Sequence, residues 1–288
     1  MLWLFLGLGA AVGDAGADVL TKRYFSQLSP YAMSLARLLF ALPFLVLAAL
    51  FISRPSLDRT FWVVVAAMLP LEVAATLMYM RALKVCHLSL CLPFLAFTPV
   101  FMIFTGWVLL GEGLNRWGVM GTIFIASGSY ILSLGTGQPG FWAPLKALAR
   151  ESGARLMLAV AAIYSFSAAL FKLAILHSEP VFFGVTYPLV FTGLMLTGYP
   201  LSQVQLGQTL RFRPGWGVVL GFFIVLSILS LAQGIQLAPA TYLIAVKRLS
   251  LLMSVLLGGL WLKERPFLPR LLGAALMCTG VGLIALRG

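Results

Sequence analysis

Ten predominantly apolar stretches succeed one another along the chain. They cover residues 1–21, 30–52, 60–82, 88–110, 116–135, 155–175, 180–200, 215–236, 239–262 and 268–287. A helix of about 20 residues crosses the hydrocarbon core of a bilayer, so the pattern predicts ten membrane-crossing helices. Most connections are short, as in "SQLSP" and "HSEP". The longest, 136–154, joins the fifth and sixth stretches. Its Trp142, Leu145, Lys146, Leu148 and Arg150 suit either a short interfacial helix or a plain connecting loop.

Composition agrees with that pattern. Of the 288 residues, 61% are hydrophobic and 10% are charged, whereas a soluble domain is about half apolar and a quarter charged. The expected fold class is therefore an all-α membrane protein. The net charge of +12 does not point to nucleic acid. The Lys and Arg residues stand singly or in pairs between apolar runs, where they meet lipid headgroups. Cys86, Cys91 and Cys278 predict no disulfide framework, and Cys91 and Cys278 read as packing residues. No basic region precedes the first apolar stretch, so it reads as a retained helix and not a cleaved signal.

The two halves resemble each other. "TGWVLLGE" (105–112) aligns with "LGGLWLKE" (257–264), which sets Glu112 against Glu264, 152 positions apart. At that offset Gly106 meets Gly258, Gly121 meets Gly273 and Gly128 meets Gly280. At an offset of 150, Lys22 meets Lys172 and Pro30 meets Pro180. Five stretches per half is an odd number, so the second half must be inverted in the membrane. Inverted repeats suit a transporter with its site near the midplane. The predicted organisation is one five-helix repeat over 1–135, the connection 136–154, and a second repeat over 155–288.

The doubled pattern carries a family resemblance. A stretch ends in Lys22, and Pro30 opens the next, which holds Arg37. "RALKV", "FTPVF" and the two acidic ends follow, and "AVKRLSLLMSVLLGGLWLKER" closes the ninth stretch. Over nearly its whole length the chain resembles the EamA family of the drug/metabolite transporter superfamily. The resemblance implies ten transmembrane helices as two inverted five-helix repeats, small-metabolite transport or export, and cytoplasmic termini. The Lys and Arg count favours the opposite orientation. Arg54, Arg59, Arg116, Lys172 and Arg287 lie on the terminal side, against more than twice as many on the other.

Six ionisable residues fall inside the stretches: Asp14, Asp18, Arg37, Glu72, Lys247 and Arg248. Each costs about 2.5–3.5 kcal/mol or more if left facing lipid. Three acids and three bases on four helices therefore predict a polar interior. Asp14 and Asp18 are four apart and share a helix face with Gly7, Ala11 and Thr21. They either brace Arg37 or Lys22 structurally, or bind protons or substrate. Asp14 stands eight positions before Lys22, which is similar to the acid of small multidrug resistance proteins, where proton and substrate compete. The repeat partners of the aspartates, Tyr164 and Ala168, are not acidic.

Lys247 and Arg248 point about 100° apart on a helix. One can face a cavity while the other pairs with Glu72 or an aspartate. The three cations together hint at a solute carrying an anion. Tyr79, Tyr164, Tyr187 and Tyr242 are candidate cavity aromatics. Pro93 and Pro99 are candidates for a gating bend. His87, His177 and "CHLSLC" supply too few ligands for a metal site, and no phosphate-binding loop or hydrolase motif occurs. No enzyme activity, metal or cofactor is expected. The reading is a secondary transporter of a small organic metabolite in the cell (inner) membrane, expected to export and to couple to protons. A lipid or lipid-linked sugar flippase and a non-transporting scaffold subunit are the alternatives. The expected partners are a small-molecule solute, membrane lipid and a second copy of the chain.

Overall fold

A computed structural model describes residues 1–86, 91–132, 148, 150–198, 206–254 and 267–287. Among them there are helices and no strand. In the first half, α1 (Leu2–Leu20) runs on into a π-helical turn, Thr21–Phe25. α2 (Pro30–Ala49) and α3 (Arg59–Val85) follow. A 3-10 segment, Leu92–Phe97, leads into α4 (Thr98–Leu110), and α5 (Arg116–Leu132) comes next. The second half has α6 (Ser152–Leu176), α7 (Pro180–Thr197), α8 (Pro214–Gly234), α9 (Ala240–Lys247) and α10 (Phe267–Arg287). A short helix, Leu206–Arg211, precedes α8.

Local chemistry sets the ends. Ser29 accepts from the Ala32 amide at 3.2 Å, and Pro30, which has no N–H to satisfy, opens α2. Asp58 caps α3 through the Phe61 amide at 2.8 Å. Gly111, at φ 67°, ends α4 in the left-handed conformation that favours glycine. Among the described residues, six helices are long and apolar enough to cross a membrane: Leu2–Phe25, Pro30–Ala49, Arg59–Val85, Ser152–Leu176, Pro180–Thr197 and Pro214–Gly234. Phe94–Leu110 and Leu272–Arg287 are shorter apolar helices. Large apolar side chains face outward, with Phe51 83% and Phe5 69% exposed. Lipid tails cover such surface without cost, whereas water does not.

The fourth and ninth apolar stretches are not single α-helices. In the fourth, a 3-10 segment gives way to α-helix at Thr98, beside Pro99. Proline donates no hydrogen bond and its ring crowds the carbonyl four residues back. The ninth breaks at Arg248 and resumes over 249–254. A further finding concerns the end of α3. The Cys86 and Cys91 sulfurs lie within disulfide-bonding distance, with Cα atoms 6.2 Å apart, contrary to the packing role expected of Cys91. Trp142, Leu145, Lys146, His87, Gly258, Trp261 and Glu264 lie outside the described residues.

Equivalent helices of the two halves run in opposite directions. α1 packs antiparallel on α8, with Gly9 against Ser230 and Gly16 against Phe223. α6 starts where α3 ends: Gly153 abuts Cys86, and at the far end His177 pairs with Asp58 at 2.8 Å. α5 crosses its counterpart α10 at two glycine pairs. A Cβ on Gly121 would stand 2.6 Å from the Gly280 carbonyl oxygen, and one on Gly128 2.6 Å from that of Gly273. Only residues without a Cβ allow this approach. In lipid, where hydrophobic burial does not drive helices together, close packing of small residues does.

Candidate functional site: a charged cavity between the halves

A cavity of about 260 Å³ opens where α1, α2, α3 and α9 meet α6, α7 and α8. Asp14, Asp18, Arg37, Glu72, Lys247 and Arg248 all border it. So do Tyr79, Tyr164 and Tyr187, and Ala168, the counterpart of Asp18. The first two helices of each half thus supply equivalent positions to one space, but of these only the first-half positions, Asp14, Asp18 and Arg37, are charged. Tyr242 does not reach the cavity. Its ring fills the space left by Gly118, where a Cβ would lie 2.0 Å from its hydroxyl, and it packs in the cluster with Ala11 and Ile125.

The charges are sorted into contacts that sequence did not specify. Arg37 Nη1 meets Asp18 Oδ1 at 2.9 Å, and the guanidinium lies 5.9 Å from the Tyr79 ring centre. Tyr79 and Tyr164 are neighbours, 6.4 Å between ring centres. Lys247 Nζ meets Asp14 Oδ2 at 3.1 Å, and Ser227 donates to Asp14 Oδ1 at 2.5 Å. Ser167 donates to Glu72 Oε2 at 2.6 Å. Arg248 Nη2 donates to Thr98 Oγ1 at 2.9 Å. That bond joins the two points where the fourth and ninth stretches depart from regular helix. Broken helices of this kind expose backbone and side-chain polar groups to transporter sites. Two buried polar atoms in the cavity wall have no hydrogen-bond partner among the described residues: Arg248 Nε and the Tyr187 hydroxyl.

Lys22 is not the partner of either aspartate. Its ammonium donates to the carbonyls of Leu83, at 2.5 Å, and Cys86, at 2.9 Å, at the end of α3. Its counterpart Lys172 donates to the Ala238 carbonyl at 2.7 Å beyond α8, and it pairs with Glu112. Glu112 in turn accepts from the Ala240 amide at 2.7 Å. These contacts sit at opposite ends of the bundle, with the cavity between. Cations at helix C-termini meet exposed carbonyls and the negative end of the helix dipole. Among the described residues no cluster of three or more His, Cys, Asp or Glu could hold a metal ion.

Ser167, Ser227 and Thr98 escaped the sequence reading. The signal was present: 164, 167, 168 and 171 on α6, and 224, 227, 228 and 231 on α8, each trace one helical face. A serine on such a face borders the cavity.

The profile of the EamA-like transporter family matches this chain twice, over residues 1–134 and 151–286. The chain belongs to the EamA-like transporter family. The EamA match gives a two-repeat membrane transporter. An "Uncharacterized transporter" of Archaeoglobus fulgidus is 24% identical over 270 residues, which is 92% of this chain and 91% of that protein. A solved crystal structure of another protein has a TM-score of 0.71 at 16% identity. The match covers 99% of this chain and 97% of that one, and it shows a shared fold.

Proposed function

We propose that this EamA protein is a secondary transporter that binds a small organic solute in the central cavity and exports it in exchange for protons. The observation that carries the reading is the convergence of all six intramembrane charges, from four helices, on one cavity. A scaffold has no use for a shared charged void in the bilayer, where each such group is costly. Tyr79, Tyr164 and Tyr187 offer rings and hydroxyls to a solute, and Asp14 is the proton carrier. Ten crossings of the inner membrane in two inverted repeats suit this role. The antiparallel pairing of α5 with α10 and of α3 with α6 supports that architecture. Rocking of one half against the other then exposes the cavity to alternate sides.

The test is reconstitution in liposomes against a metabolite panel, with and without an imposed proton gradient. Protein-dependent accumulation driven by the gradient is the expected result. Flux indifferent to the gradient removes the coupling, and no flux for any solute removes the transport reading.

A further inference from the structure

We infer that the protein binds the phosphate headgroup of an anionic phospholipid where α1 ends and α8 begins, at one end of the bundle and outside the central cavity. Two departures from regular backbone meet there. The π-helical turn Thr21–Phe25 closes α1, and Arg213, at φ 51° and ψ 57°, precedes α8 in the left-handed region. Among the described residues no other non-glycine residue has a positive φ. Such a conformation is costly and persists only where the surroundings enforce it. Phe25 and Phe212 do so here. Phe25 is fully buried, and Phe212 meets it edge-on with 6.1 Å between ring centres. With Phe212 turned inward, its neighbours Arg211 and Arg213 stand exposed.

Two cations converge on one aromatic platform. Tyr24 stacks on Trp216, with ring centres 4.4 Å apart and planes inclined by 16°. The Arg23 guanidinium lies 5.5 Å from the Tyr24 ring centre and the Arg213 guanidinium 5.3 Å. Arg23 and Tyr24 belong to the first half, Arg213 and Trp216 to the second, so only the folded chain assembles the platform and a headgroup on it touches both halves. A phosphate between the two guanidiniums attracts both, and their planar forks match its oxygens. The surroundings favour a lipid phosphate over a free one. Tyr and Trp settle at the membrane–water interface. On α8, Val218, Val219 and Phe222 are exposed within two turns of Trp216 and offer an apolar path to an acyl chain. Arg81, Lys84, Arg150 and Arg155 lie at the same end of the bundle, where Glu151 is the one acid among the described residues. A basic end of this kind draws anionic lipid.

The experiment titrates the purified full chain in detergent with dioleoylphosphatidylglycerol and, separately, with dioleoylphosphatidylcholine, which keeps the phosphate but adds a compensating cation. Bound lipid is read by native mass spectrometry. Each arginine facing an anionic headgroup is worth about fivefold in affinity, so phosphatidylglycerol is expected to bind at least about tenfold tighter than phosphatidylcholine. Arg23→Gln and Arg213→Gln should each weaken phosphatidylglycerol about fivefold and leave phosphatidylcholine unchanged. Arg213→Lys should keep most of the preference. Arg213→Gly should lose it while holding or raising the unfolding midpoint in phosphatidylcholine, because glycine takes the left-handed conformation without strain. That variant separates the lipid role from the fold. Arg155→Gln, at the same end but on α6, which packs on α3, should bind both lipids as wild type does. Equal binding of the two lipids by wild type overturns the inference. So does an equal loss in Arg155→Gln, which would make the whole basic end and not this platform the attractant, and so does displacement of phosphatidylglycerol by inorganic phosphate, which would make the site one for a free anion.

Discussion

Asp14 and Asp18 lie one turn apart on one face of α1, yet they serve different cations on different helices. Asp18 takes Arg37 from α2, and Asp14 takes Lys247 from α9. The sequence located all six charges, because a charge in an apolar run is conspicuous. It could not pair them, because spacing along a helix gives the face and not the neighbouring helix. The Asp18–Arg37 contact makes a prediction at this scale. Arg37→Ala leaves a carboxylate 4% exposed without its cation, a loss of about 3–5 kcal/mol for a buried pair. The unfolding midpoint in detergent should fall sharply, and Arg37→Ala with Asp18→Asn should regain much of it. The same rescue from Asp14→Asn would contradict the pairing. Outside the membrane, Asp58 titrates below the usual carboxylate range, chiefly through the Phe61 amide and also through His177. A depressed carboxylate stabilises the fold above its unfolded pKa, and the contribution is lost as pH falls through its folded value. The advantage of wild type over Asp58→Asn in unfolding midpoint should therefore hold at neutral pH and shrink below about pH 4. An advantage undiminished at about pH 3 would refute the assignment.

Among the elements, α5 and α10 show what a repeat pattern reveals and what it hides. The sequence equated Gly121 with Gly273 and Gly128 with Gly280. The structure brings together the exchanged pairs, Gly121 with Gly280 and Gly128 with Gly273. Exchange of partners is what an antiparallel crossing of equivalent helices produces, so the offset in sequence becomes a contact rule in space. A side chain there has nowhere to go, since the obstacles are backbone atoms. Gly121→Val is expected to cost about 1–3 kcal/mol by overpacking and to lower the yield of folded protein on size-exclusion chromatography. Gly282→Ala, on the same helix but with open space around it, should leave the yield unchanged. Equal losses in both variants would mean that the helix, and not the crossing, is sensitive. The irregular fourth and ninth stretches were legible only in part. Pro93 and Pro99 announced a break in the fourth, but nothing in "TYLIAVKRLS" announces that the helix pauses at Arg248. At that pause Arg248 reaches across to Thr98, a contact that the local sequence does not encode.

The whole molecule places lysine contacts at both ends of the bundle and a charged cavity between them. At one end Lys22 holds the last carbonyls of α3, and at the other Lys172 holds Glu112 and the Ala238 carbonyl. The excess of basic residues on one side thus partly serves helix ends and not lipid headgroups, and Lys84 likewise donates to the Leu28 carbonyl at 3.0 Å. A simple Lys and Arg count therefore says less about orientation here than it does for free loops. Between these ends, and among the described residues, Asp14 is the cavity acid that makes a salt bridge to the second half, through Lys247 on α9, and it also accepts from Ser227 on α8. Neutralising it removes the ionic tie between the halves at the cavity, where the proposed rocking takes place. In the proposed exchange, a proton arriving at Asp14 loosens the halves at the cavity, its departure draws them back, and proton movement is coupled to rocking. Asp14→Asn fixes the neutral state. In liposomes this variant should still exchange labelled for unlabelled solute at equal concentrations, with a rate that no longer depends on pH. It should fail to concentrate solute when a proton gradient is the only driving force. Asp18→Asn, whose tie is to Arg37 within the same half, should retain gradient-driven accumulation and lose stability instead. Accumulation by Asp14→Asn under a proton gradient alone would refute the coupling role of Asp14.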